Sequence, residues 1–322
     1  MDIHFKRKDE PLKSFIPFVK QLINESNNRT NYKTGKKISV HTIKKYRTTL
    51  NHLQDFIIKT RYKVDFENIN TIFYEEYKKF LMNEYKLSVN SIGKDFSVIK
   101  FFLNEATERG INNNLSFKSS RFKTISEVSD TIYLNEQELK LLFDLDLTES
   151  KTYSGVRDLF LIGCFTGLRY SDYSVLTKEN IIDGKIRITT YKTGEPVVIP
   201  IHPIVKAIFE KRNYELPKSL SNQKTNQYLK EIAAEIDELQ VLVNKKITKG
   251  GVREVQYLKK YEMVTTHTAR RSFATNLYLS NFPSISIMKI TGHRTESAFM
   301  RYIKITPDDN ANALEAHWNK AV

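Results

Sequence analysis

The sequence predicts a mainly α chain with a small β-hairpin or sheet, an α+β fold class divided between a helical N-terminal domain and a mixed C-terminal one. Three observations predict it. Apolar residues recur at three- and four-residue steps through most of the first 110 residues. A polar, basic stretch without that periodicity follows, at 112–130. Beyond it, "KIRITTYKTGEPVVIPI" (185–201) reads as two strands around a Lys-Thr-Gly-Glu turn, set among further helices.

A first helix is expected around 12–26. "HTIKKYRTTLNHLQDFIIKT" (41–60) then places Ile43, Tyr46, Leu50, Leu53 and Ile57 on one stripe, with Lys44, Lys45 and Arg47 between those positions. "INTIFYEEYKKFLMNEY" (69–85) repeats the pattern with Ile72, Tyr77, Phe80 and Leu81. "SVNSIGKDFSVIKFFLNEATERG" (88–110) makes a third long helix, stopped by Gly110. After the linker, Asn135 opens a helix with Glu138 as its reciprocal capping partner. A buried helix over 154–167 comes next, then the strand pair, then helices over 222–239 and 266–280. Shorter helical pieces follow, separated by "NFPS" (281–284), "TGHR" (291–294) and "ITPDD" (305–309). In the last, Thr306 caps, Pro307 takes the first helical position and Asp309 sits in the first turn. The expected division is 1–124 for the helical domain, 125–134 for a linker, 135–305 for the mixed domain and 306–322 for a tail helix. On that helix Ala311, Leu314 and Trp318 share one face.

Composition narrows the function. The net charge of +14 favours a polyanionic partner. The excess is concentrated: residues 1–124 hold 24 Lys and Arg against 13 Asp and Glu. One cysteine, Cys164, excludes an internal disulfide framework, and no apolar run or signal-like N-terminus is present, so the reading is a cytoplasmic protein without a membrane partner.

Five short motifs carry the chemistry. "TGLRYSDY" (166–173) sets Arg169 after a helix-ending glycine; "YKTGE" (191–195) sets Lys192 on a hairpin tip. "HTARRSFATN" (267–276) crowds His267, Arg270 and Arg271 at a helix start, where an anion is already favoured. "TGHRT" (291–295) gives His293 in a turn, and "RYIKI" (301–305) gives Tyr302, nine residues later. Each alone is ordinary: a surface arginine, a solvated lysine, a structural histidine, one of 17 tyrosines. In this order and spacing they resemble the tyrosine recombinase (phage integrase) family, over nearly the whole chain, with a lean toward mobile-element integrases of Bacteroides-like bacteria.

The resemblance implies a helical core-binding domain followed by the family's mixed α/β catalytic domain. It implies Tyr302 as nucleophile, Arg169 and Arg270 on the phosphate, Lys192 as general acid, and His267 and His293 in hydrogen bonding or proton transfer. The residue types suit that task. A phenol can become a covalent partner of phosphate, two guanidinium forks can hold non-bridging oxygens, and a lysine can protonate a departing hydroxyl. No compact carboxylate cluster of the two-metal kind is present, so no metal or other cofactor is expected. Asp172 matches an acidic position that orients such sites, and a plain helix-start charge explains it equally well. Ala269 and Thr291 stand where the family often has leucine, and Arg271 where it often has histidine.

The implied partner is double-stranded DNA at specific sites, met by a homotetramer that is monomeric off DNA, with room for accessory DNA-bending or directionality proteins. Lys44, Lys45, Arg47, Lys94, Lys100 and Arg271 are the candidate DNA-binding residues. The expected role is integration and excision of a mobile element. Two other readings stay open: type IB topoisomerase-like strand passage, and a catalytically silent DNA-binding regulator of the same fold. The chain is either a two-domain recombinase or the part of a longer one that follows an arm-binding domain.

Overall fold

The computed structural model describes residues 14–31, 35–305 and 307–320. The chain forms two compact units, Met1–Ser129 with Lys246–Val255, and Asp130–Lys245 with Gln256–Val322.

The first unit is a bundle of α1 (Phe15–Glu25), α2 (Val40–Thr60), α3 (Thr71–Asn83) and α4 (Val89–Glu108). Side-chain caps start three of them: Ser39 accepts from the Thr42 amide, Asn70 from those of Ile72 and Phe73, and Ser88 from that of Ser91. Ile43, Tyr46, Leu50 and Leu53 of the expected α2 stripe are buried. On α3 the expectation fails at one position. Ile72 is 66% exposed, and Phe73 and Tyr74 fill the core in its place. The buried stripe runs Phe73, Tyr74, Tyr77, Phe80 and Leu81, at helical spacing, and Ile72 lies off it. Gly93 on α4 has to lack a side chain, because a Cβ there would meet the Ile125 carbonyl oxygen at 1.9 Å.

One buried carboxylate, Asp95, sits inside this bundle and is fully engaged. It accepts from Thr49 Oγ1 at 3.0 Å and Tyr77 Oη at 3.2 Å, and pairs with His52 Nδ1 at 2.6 Å, as a charge away from water requires.

The second unit begins with α5 (Glu136–Asp144), whose Asn135–Glu138 capping box forms as expected. The central α6 (Lys151–Thr166) is buried along most of its length. Its buried Arg157 donates to Asp158 and to the carbonyls of Leu142, Phe143 and Leu145, so one side chain satisfies the end of α5. A short α7 (Tyr170–Tyr173) follows, then an antiparallel sheet in the order β1 (Ile181–Ile182), β2 (Lys185–Thr189), β3 (Pro196–Pro200), with Ile186 opposite Ile199 and Ile188 opposite Val197. Next come α8 (Pro203–Lys211) and α9 (Asn222–Ala234), so the helix expected over 222–239 stops at 234 and a separate turn covers Asp237–Leu239.

The hairpin of β4 (Leu242–Lys249) and β5 (Val252–Lys259) was not among the expected elements, although the Gly250-Gly251 link between its strands is a hairpin signal. None of its residues is buried: β4 alternates exposed and intermediate positions over its first six residues, and β5 is exposed at all but Leu258. Its tip belongs to the first unit, where the Gly250 amide donates to the Leu87 carbonyl.

The chain closes with α10 (Thr266–Leu279), α11 (Ser284–Thr291), α12 (Glu296–Met300) and α13 (Pro307–Lys320). The expected cap at Thr306 lies outside the described residues. Leu314 and Trp318 of the α13 stripe are 47% and 61% exposed, and Ala311 is exposed as well.

Candidate active site

Two tight turns and two helix ends build the site, all in the second unit. Gly167 ends α6 in the left-handed conformation, at φ +66°. A side chain there would be strained and would also meet the Phe273 ring at 2.4 Å, so this turn requires glycine. Two residues later Arg169 caps α7.

Arg270 comes from α10, 2% exposed, and its Nη1 donates to the Gly167 carbonyl at 2.7 Å. Thus the turn that sets Arg169 also anchors Arg270. The start of α10 is tied down separately, since the Thr266 amide and hydroxyl donate to Asn226 and Asn222 of α9, each at 2.8 Å.

Three guanidinium nitrogens in this corner, Arg270 Nε and Nη2 and Arg169 Nη1, are buried with no protein partner. Buried donors without acceptors are costly, and two cations side by side are more so. Burial first, then the charge of Arg169, push the Arg270 guanidinium down to about 10. It stays charged at neutral pH, and an anion arriving here would relieve both penalties.

Tyr302 stands against this corner. Its ring lies 4.5 Å from the His293 ring and 5.7 Å from the Arg270 guanidinium carbon. Thr275 on α10 clamps its backbone, donating to the Tyr302 carbonyl at 3.5 Å while accepting from the Lys304 amide at 3.2 Å. Ile303, 7% exposed, plugs the small core beneath.

His293 follows Gly292, which ends α11 at φ +63°. Its Nδ1 is 2.8 Å from Thr291 Oγ1, and its Nε2 is buried without a protein partner. Burial, then the charges of Arg270 and Arg169, hold it down to about 4, so the imidazole is neutral. His267, in the first turn of α10, is exposed. Desolvation and the cations Arg271, Arg270, Lys192 and Arg169 lower it too.

Lys192 is exposed on the turn between β2 and β3. That turn is closed by the Gly194 amide on the Thr190 carbonyl at 2.8 Å. It is held from outside by Asp172. This carboxylate is 1% exposed and accepts from the Tyr191 amide at 2.8 Å, one residue before Lys192. A helix-start charge would face solvent, so Asp172 is a clasp on the hairpin.

The structure therefore brings Arg169, Arg270, His293, Tyr302 and Asp172 into one corner, with His267 and Lys192 at its open side. Arg271 is occupied elsewhere, with Nε on the Ile132 carbonyl at 3.0 Å. In the first unit, Lys44, Lys45 and Lys94 line one groove of about 480 Å³ together with His41 and His52, while Arg47 is exposed outside its lining and Lys100 lies 5.7 Å over the Phe122 ring. Sequence reasoning missed Thr275, Asn222, Asn226 and the role of the Gly167 carbonyl. Nothing in their local pattern distinguishes them, whereas Thr291 was visible as a departure from leucine. Among the described residues no group of three or more His, Cys, Asp or Glu side chains is placed to hold a metal ion.

This constellation is that of a site-specific tyrosine recombinase. The chain belongs to the phage integrase family: residues 14–125 match the phage integrase SAM-like domain and residues 133–308 match the phage integrase family domain. No curated protein sequence matches the chain, but solved structures do match its fold. The Tn1549 transposon integrase (residues 82–397) in complex with circular intermediate DNA is 14% identical, with 94% of this chain and 99% of that one covered and a TM-score of 0.64. A lambda integrase tetramer bound to a Holliday junction is 16% identical, covering 92% and 78%, at 0.65. The XerH recombinase bound to a palindromic difH substrate is 15% identical, covering 95% and 97%, at 0.66.

Proposed function

We propose that this recombinase cuts and rejoins double-stranded DNA through Tyr302, forming a 3′-phosphotyrosine link, and serves integration and excision of a mobile element. In the forward step the Tyr302 oxygen bonds to phosphorus and the bond from phosphorus to the 5′-oxygen breaks. An imidazole takes the phenol proton and Lys192 gives one to the departing oxygen. Arg169 and Arg270 meet the charge that gathers on the non-bridging oxygens. One phosphodiester is exchanged for another, so the reaction runs without ATP, and the cations present do the work a metal would do. The observation that carries this reading is the set of buried, unpartnered guanidinium donors beside the Tyr302 ring.

The groove lined by Lys44, Lys45 and Lys94 supports a DNA-facing role for the first unit. For assembly, we infer a homotetramer on DNA in which α13 docks head to tail on the next protomer. The exposed Leu314 and Trp318 support that over packing of the stripe on its own domain.

The test is a pool of randomised nicked duplexes from which protein-linked DNA is recovered after denaturation. Tyr302→Phe keeps the ring and removes the nucleophilic oxygen, and it should yield no adduct while retaining DNA binding. A denaturation-resistant adduct from the Phe variant would overturn the assignment.

A further inference from the structure

The groove of the first unit sets a histidine between lysines and a buried acid. Lys44, Lys45 and His52 line it from α2, and Lys94 and Asp95 from α4. Asp95 is 5% exposed. Thr49 Oγ1 and Tyr77 Oη donate to it, and His52 Nδ1 lies 2.6 Å from its Oδ2. A carboxylate only accepts, so Nδ1 carries hydrogen. The other ring nitrogen, Nε2, lies across the ring from that bond. It makes no hydrogen bond among the described residues and is not shut off from solvent, and the residue lines the groove. Nε2 is therefore the edge that His52 offers to whatever fills the groove.

The groups around this ring pull in opposite directions. Asp95, itself bonded to Tyr77 of α3, favours a charged ring. Tyr85 stands beside it, ring centroids 4.5 Å apart, with its hydroxyl donating to Asp55. On the groove side His41, Lys44, Lys45 and Lys94 oppose a further positive charge. An anion in the groove reverses that opposition. It offsets the lysines, and it presents lone pairs to Nε2, which can bond them only as a second N–H.

We propose that His52 takes up a proton as double-stranded DNA binds, so that the ring, held by Asp95 at Nδ1, donates from Nε2 to a backbone phosphate beside Lys44, Lys45 and Lys94. This rests on the reading of the groove as DNA-facing. The proton comes from solvent and returns to it on release. The contact is to phosphate, so it tightens binding without regard to base sequence. Its strength rises as pH falls through the range where histidine titrates.

Two readouts test it, neither of which depends on Tyr302. The first is the affinity of the full chain for an intact duplex of fixed sequence, by fluorescence anisotropy at constant salt. Between about pH 6 and about pH 8 the native chain should lose about tenfold more affinity than His52→Gln, the linkage of one proton. The glutamine amide can still donate to Asp95, and His267 and His293 are common to both chains. Asp95→Asn removes the charge that favours the imidazolium and should flatten the profile in the same way. The second is ¹⁵N-histidine labelling at about pH 7. The His52 signal, assigned by its loss in His52→Gln, should pass from one ring N–H to two when the duplex is added. A ring that keeps its protonation state on binding overturns the proposal, as does a Gln variant with the native pH profile. If Lys44→Gln and Lys94→Gln bind DNA as tightly as the native chain, the groove does not face DNA, and the underlying reading falls together with the proposal. If those two bind weakly while His52→Gln keeps the native profile, the proton coupling alone falls.

Discussion

Arg270 gives one donor to the Gly167 carbonyl and keeps two buried nitrogens without protein partners. A planar fork can do both at once; a single ammonium cannot. Arg270→Lys should therefore reduce single-turnover cleavage by roughly 10²-fold or more, on the scale of losing an oxyanion donor, with DNA affinity in a gel shift nearly unchanged. His293 permits a second prediction. Its folded value is about 4 against 6.5 for the free side chain. Between those values the unfolded chain binds a proton that the folded chain refuses, so this group lowers stability as pH falls from about 6.5 toward about 4 and has no effect above. His267 is shifted the same way. Thermal melts should show a lower midpoint at pH 5 than at pH 7, and His293→Gln should narrow the gap; an unchanged gap would place the pH sensitivity elsewhere.

At the level of elements, the site depends on turns pinned from outside themselves. The hairpin tip that carries Lys192 is exposed and would wander if only its own short turn held it. Asp172 pins it through the Tyr191 amide. Asp172→Ala should slow cleavage by misplacing Lys192, while a substrate with sulfur at the 5′-bridging position, whose leaving group needs no proton, should be cleaved at nearly the native rate. If the sulfur substrate is equally impaired, Asp172 acts through the arginines instead. Tyr302 is pinned in the same manner by Thr275.

For the whole molecule, the proposed docking of α13 on the next protomer would join the site to assembly. An exposed leucine and tryptophan on a terminal helix are better suited to a partner than to solvent. Deleting residues 308–322 should spare binding of a single half-site and weaken cooperative assembly on full-site DNA, read by gel shift and light scattering. Assembly equal to that of the intact chain would show that the helix serves its own protomer.

What the sequence by itself determined is the local and the ordered. Apolar spacing marked α2 and α4, Asn135 with Glu138 announced α5, and Gly167 and Gly292 announced the turns that set Arg169 and His293. The order of the cations and the tyrosine pointed to one family. These features are legible because each depends on residues within a turn or two, or on a spacing kept along the chain. Only the tertiary structure decided the rest. Arg270 reaches the Gly167 carbonyl across 103 residues, and Asp172 the Tyr191 amide across 19. The β4–β5 hairpin buries no residue, so its hydrophobic alternation is weak. Such pairings depend on how distant elements pack, and a residue's neighbours in sequence carry no trace of it.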